Sequence, residues 1–390
     1  MATKNIDLLK DIPPDSKGDG GSKNDQIENI AINKEIFISD KAEEPFLEEN
    51  LPENRNLTPI QRGQHLAIQF IEHNIHPILI FGASKSGKTS FIASLFQYIL
   101  TGTHQNATID LYLQAIPTDA IIWQDMRKYA LKLFNKKLID FVVDGAAAPA
   151  TQDPIPFFIP VELTPNGRAP VKFAFLEGQG EWYQPDHDAD NPYRPFQGEI
   201  EGVLKNFNRP LTVIYIAPVT TAGYATPGNE ESPESREMAD RDQGLLGAMR
   251  QYTTLRKDKR HMDNNMFLVT KWDIQSKSIT DNSFRYPGPE KLESVIQARY
   301  KLAYPNFLNS NDLYNSNETK KCVSHYCSGV ISGGSVDKQS VEDKSLIDFF
   351  PRKIWNWLYF HHAESVLYPD VHPKKPHFLD KILNWLKGSS

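Results

Sequence analysis

Cysteine is almost absent from this chain: Cys322 and Cys327 are the only two in 390 residues. Five positions apart and without a second pair, they support neither a disulfide framework nor a zinc site, and reduced thiols are expected. Long apolar runs are missing as well. No stretch approaches the roughly eighteen residues needed to cross a bilayer, and Met1-Ala-Thr-Lys-Asn lacks the charged-then-apolar plan of a secretory signal. A cytoplasmic protein without a transmembrane segment is expected. Charge of one sign is also scarce. A net charge of −6, with 24% charged and 39% hydrophobic residues, gives no electrostatic case for nucleic acid or an anionic membrane as a standing partner. The neighbours His361 and His362 would point about 100° apart on a helix and have no acidic or Cys partner at ligand spacing, which speaks against a metal there.

Residues 1 to about 55 mix Asp, Glu, Lys, Asn, Pro and Gly with few clustered apolar residues, so they cannot bury enough surface to offset their ordering entropy; a flexible tail is expected. From Thr58, a cap before Pro59, the spacing of Ile60, Leu66, Ala67, Phe70 and Ile71 predicts an amphipathic helix leading into the strand Ile78-Leu-Ile-Phe81. Residues 120 to 141 carry a helical pattern read as part of an insertion over about 105–150. Two strands joined by a turn follow at 157–163 and 171–176, and Pro160, which has no N–H, places the first at a sheet edge. Further strands at 211–216 and 266–269 are nearly all apolar, as strands covered on both faces should be, and a last short one is expected at 322–327. Gly228 to Glu237, charged and interrupted by Pro233, reads as an exposed mobile loop within a second insertion over about 183–260. Helical patterns at 291–300 and 345–358 complete the layers, and 378–387 is a short amphipathic helix in a C-terminal extension over 361–390.

Two short segments carry the chemistry. Gly82-Ala83-Ser84-Lys85-Ser86-Gly87-Lys88-Thr89 follows the first strand and opens a helix at Ser90. Glycines in such a loop let backbone N–H groups turn inward and, with the helix N-terminus, surround a polyphosphate. Lys88 would reach the terminal phosphates, and Thr89 would give its hydroxyl to a magnesium ion, a full match to G-x-x-x-x-G-K-S/T in strand-to-helix context. The second segment is Thr270-Lys271-Trp272-Asp273, directly after a buried strand. A carboxylate at Asp273 can accept two hydrogen bonds from guanine N1 and N2, which adenine cannot offer, and the Lys271 stem can lie over the base.

In order, the chain has a phosphate loop, a strand hairpinned to a second, an acidic-x-x-Gly step at Glu177-Gly178-Gln179-Gly180, and Thr-Lys-x-Asp after a later strand. That order resembles the translation-factor and Ras-like class of P-loop GTPases over roughly residues 75 to 335, and also suggests a likeness to bacterial conflict- or secretion-associated GTPases. The resemblance implies an α/β P-loop fold: a mostly parallel sheet with one antiparallel edge strand, helices on both faces, and insertions, in a domain over 56–360. By position, Glu177 takes the place of an aspartate that holds magnesium through water, its extra methylene moving the carboxylate by about 1.5 Å. The Gly180 N–H would sense the γ-phosphate. Glu181 stands where relatives keep a water-orienting glutamine and can act as a base or repel the γ-phosphate, with Gln179 a substitute. A switch threonine is implied ahead of the edge strand; Thr151 fits, with Thr164 an alternative. Ser328-Gly329 resembles the step whose backbone N–H touches the guanine oxygen.

The function so implied is a GTP/GDP- and Mg2+-binding switch that hydrolyses GTP slowly, with protein partners at its insertions and switch segments. A catalytically weak GTP-binding interaction module, and an ATPase or kinase with an accidental Thr-Lys-Trp-Asp, stay open beside it.

Overall fold

The computed structural model describes residues 57–101, 107–110, 157–165, 167–183, 195–219, 232–260, 263–271, 289–315, 324–329, 351–352 and 354–359. Helix α1 (Pro59–Glu72) begins as expected. Thr58 Oγ1 accepts from the Gln61 N–H at 3.3 Å and Gln61 Oε1 accepts from the Thr58 N–H at 2.8 Å, a reciprocal box with Pro59 in the first turn. Strand β1 (Ile75–Phe81) is buried along its whole length and feeds α2 (Lys88–Thr101) through the glycine-rich loop. A short β2 (Ala107–Asp110) follows, then the hairpin of β3 (Phe157–Pro165) and β4 (Val171–Glu177), with Gly167 in its connection at φ 70°. After a 3₁₀ turn at Gly180–Tyr183 come α3 (Gly198–Asn206), β5 (Thr212–Pro218), α4 (Pro233–Leu255), β6 (Asn264–Thr270), α5 (Pro289–Arg299), α6 (Ala303–Asn315) and β7 (Ser324–Gly329).

The seven strands form one sheet in the order β2-β3-β4-β1-β5-β6-β7. Pairings from β4 to β7 are all parallel, and those of β3 with β4 and with β2 are antiparallel. Strand β2 runs beside residues 162–165 only, so the Pro160 half of β3 has no outer neighbour among the described strands. In β1, Ile75, Leu79 and Phe81 enter the core under α1, α3, α4 and α6, while Ile78 and Ile80 enter the core under α2 and residues 354–359. This alternation, repeated in β5 and β6, is why those strands read as continuous apolar runs: each residue has a covered face to enter.

Three expectations need restating. Gly228 to Glu237 is not one exposed loop, because Ser232 caps α4, accepting from the Ser235 N–H at 3.2 Å, and Pro233 is the first helical residue, where its missing N–H costs nothing. The last strand runs two residues further than expected, because its parallel partner β6 continues through Thr270; Ser328 and Gly329 belong to it. The stretch over about 183–260 contributes α3, β5 and α4 to the packed layers. The tail over 1–55, the helical pattern at 120–141 and the C-terminal extension lie outside the described residues. Among the described residues no helix is long and apolar enough to cross a membrane.

Candidate functional site

β1, β4, β5, β6 and β7 all point their carboxyl ends to one edge of the sheet, where an open α/β sheet binds ligands. Residues 82–89 lie there, between the end of β1 and the start of α2. The loop turns through Lys85 at φ 57° and Gly87 at φ 95°, and a left-handed lysine is a local cost of the kind held at functional sites. Ser86 N–H donates to the Ala83 carbonyl at 3.2 Å, and Phe91 N–H to that of Gly87 at 2.8 Å, starting the helix. Lys88, only 7% exposed, folds back over the loop and donates to the carbonyls of Gly82 (2.8 Å) and Ala83 (3.2 Å). Its ammonium also lies 5.7 Å from the centre of the Tyr183 ring.

The end of β4 meets the loop on a second side. Glu177 is buried, and its Oε1 accepts from the Thr89 hydroxyl at 2.8 Å. The longer side chain thus reaches the hydroxyl directly, and the two oxygens form a hard, oxygen-only donor set that suits magnesium. Gly180 packs against the loop itself: a Cβ there would stand 2.3 Å from both the N and Cα of Ser84, closer than side-chain atoms approach backbone. Three residues on, Tyr183 is buried against Phe81 (centroids 5.4 Å) and Phe196 (6.4 Å). Burial, then the Glu177 carboxylate, pushes its phenol far above the ordinary value, so it stays protonated.

A hydrogen bond between residues 184 positions apart joins the two motifs: Thr270 Oγ1 donates to the Ser86 carbonyl at 2.7 Å. Thr270 is buried, its carbonyl accepts from the Val219 N–H at 2.8 Å, and Gly329 is its strand partner on the other side. Lys271 follows in the left-handed region at φ 57°, redirecting the chain as it leaves the strand. The structure therefore brings together Gly82 to Ser90, Glu177, Gln179, Gly180, Thr270, Lys271, Ser328 and Gly329 on one sheet edge. Glu181 lies in the 3₁₀ turn. Thr151 and Asp273 lie outside the described residues. Sequence reasoning placed Tyr183 only as the end of a switch segment running from Glu177 and gave its ring no role of its own; its only signal was an aromatic three residues after the acidic-x-x-Gly glycine.

No family model matches the sequence, and no curated protein matches it. Solved structures do. The signal recognition particle receptor SRb-GTP/SRX complex from Chaetomium thermophilum matches with a TM-score of 0.35 and 12% identity, covering 73% of this chain and 97% of that one. The Ski7 GTPase-like domain of S. cerevisiae, bound to GDP and inorganic phosphate, matches at 0.32 and 11%, covering 75% and 52%. Toc33 from Arabidopsis thaliana, in a dimerization-deficient mutant, matches at 0.31 and 10%, covering 79% and 95%. The functional reading rests on this chain's own residues.

Proposed function

We propose that this chain is a GTP-binding protein that hydrolyses GTP slowly with magnesium and acts as a nucleotide-dependent switch in a protein complex. The Thr270–Ser86 hydrogen bond supports the reading most directly, because it ties the segment that would read guanine to the loop that would hold phosphates. Lys88 and the loop amides of 82–90 would bear the phosphate charge, and the Gly180 N–H would meet the γ-phosphate. Thr89 and Glu177, with Thr151, would hold magnesium, which would supply positive charge to offset that of the phosphates. Glu181, or Gln179, would face the attacking water. Asp273 and Lys271 would select guanine, aided by the backbone at Ser328 and Gly329.

The test is nucleotide affinity of the purified full chain. GTP should bind well ahead of ATP, Asp273→Asn should move preference toward xanthine nucleotides, and Lys88→Ala should lose triphosphate affinity with the fold kept. Equal affinity for GTP and ATP, or unchanged GTP binding in Asp273→Asn, would sink the guanine reading. Glutamates stand at 177 and 181 where relatives keep Asp and Gln, and this favours a second reading, a GTP-binding interaction module. Retained GTP with no phosphate release in magnesium would select it.

A further inference from the structure

We infer that Tyr183 is a positioning residue for Lys88 and makes the α1–α3 helix pair respond to whether a triphosphate fills the loop; this rests on the nucleotide reading above. Lys88 donates to the carbonyls of Gly82 and Ala83 and lies against the face of the Tyr183 ring. A phosphate draws on the same ammonium far more strongly than a ring quadrupole does, and the γ-phosphate of a triphosphate adds to the pull of the β-phosphate that a diphosphate already supplies, so a triphosphate loosens the hold of Lys88 on the ring further than a diphosphate does.

Tyr183 cannot shift alone. Its ring packs on Phe81, the residue before Gly82, and edge-on against Phe196, which is itself stacked on Phe81 at 4.8 Å and 22°. Phe196 stands two residues ahead of α3, and its N–H donates to Gln251 of α4 at 2.7 Å. Helix α3 lies backbone to backbone on α1. A Cβ on Gly63 would stand 2.1 Å from the Glu199 carbonyl oxygen, and one on Gly202 would stand 2.3 Å from that of Ile60. The guanidinium of Arg62 donates to the nearly buried Glu199 carboxylate at 2.5 Å through Nη2 and 3.1 Å through Nε. Where Gly63 and Gly202 cross there is no side chain to absorb a displacement, so a shift of α3 carries α1 or breaks this contact. Helix α1, which precedes β1, is thus the output of the phosphate site.

The experiment compares amide hydrogen exchange in the full chain loaded with GDP or with a non-hydrolysable GTP analogue. In the native chain and in Tyr183→Phe, which keeps the ring, exchange across 59–72 and 198–206 should differ between the two nucleotides by roughly tenfold or more. In Tyr183→Met, which keeps apolar bulk but no ring, that difference should fall to about a third or less. A full difference in Tyr183→Met, or none in the native chain, overturns the inference. Reciprocity supplies a second variant away from the phosphates: Glu199→Gln loosens the helix contact and should change the ratio of triphosphate to diphosphate affinity several-fold. An unchanged ratio overturns the inference too. If an ATP analogue produces the helix response and GTP does not, the guanine reading fails while the Tyr183 inference stands; tight GTP binding with silent helices overturns the inference and leaves the guanine reading standing.

Discussion

Arg256 and Asp263 form a fully buried ion pair at the amino end of the sheet, opposite the glycine-rich loop. The guanidinium donates to both carboxylate oxygens, at 2.8 Å and 2.5 Å, and to the carbonyls of Leu204, Phe207 and Arg209. The carboxylate also accepts from Tyr252 Oη at 2.7 Å and from the Leu211 N–H at 3.1 Å. With partners on every side the pair is tolerated, but removing one member strands the other charge in the core. Asp263→Ala should therefore cost about 3–5 kcal/mol in urea unfolding, well beyond an ordinary surface truncation. Gly180 makes the opposite kind of prediction. It bears no charge, yet an added methyl would collide with the Ser84 backbone. Gly180→Ala should therefore push the turn off the loop at a cost of about 1–3 kcal/mol in urea unfolding, and discrimination of GTP from GDP should fall at least several-fold, read by nucleotide competition; retained discrimination would count against the turn's role.

Elements whose cause is local were legible in the chain. Thr58, Pro59 and Gln61 announce α1, and the glycine, lysine and threonine of 82–89 announce a strand-to-helix phosphate loop. Pro233 misled because the same residue ends a helix from inside and begins one at its first turn; Ser232 beside it was the deciding signal. What local pattern cannot show is which helix lies on which. The glycines at 63, 198 and 202 mean little in sequence, and only the crossing of α1 on α3 shows why they are bare. Gly202→Leu should force that crossing apart at a cost of about 1–3 kcal/mol, measured by thermal unfolding. Ser232→Ala, losing one cap bond, should cost only about 1 kcal/mol. Trp355 is a similar long-range case: its indole N–H donates to the Leu95 carbonyl of α2 at 2.8 Å while its ring packs on Phe96, Phe173 and Phe175.

At the scale of the whole molecule, the sheet order follows from apolar strands covered on both faces, and the site from where their carboxyl ends meet. The sequence could place Thr270 after a buried strand, but the hydrogen bond to Ser86 closes only when β6 lies one strand beyond β5 and two from β1. The same burial makes stability depend on alkaline pH. Tyr183, Tyr215 and Tyr252 share one core face, and burial comes first among the causes that push each phenol above its ordinary value of 10.0. In the unfolded chain these phenols lose their protons near pH 10, while in the folded chain they keep them. Their contribution to stability is then complete below about pH 10 and is lost as pH rises beyond it, by up to about 1.4 kcal/mol per pH unit for each group and about 4 kcal/mol per unit for three. Urea unfolding at pH 8, 10.5 and 11.5 should show a flat region followed by this decline. Tyr215→Phe removes one titrating group and should reduce the alkaline slope by about a third. A slope unchanged in that variant would mean that the folded protein already exposes the phenol to hydroxide, and that the face of the sheet joining the glycine-rich loop to α1, α3 and α4 opens more readily than its packing implies.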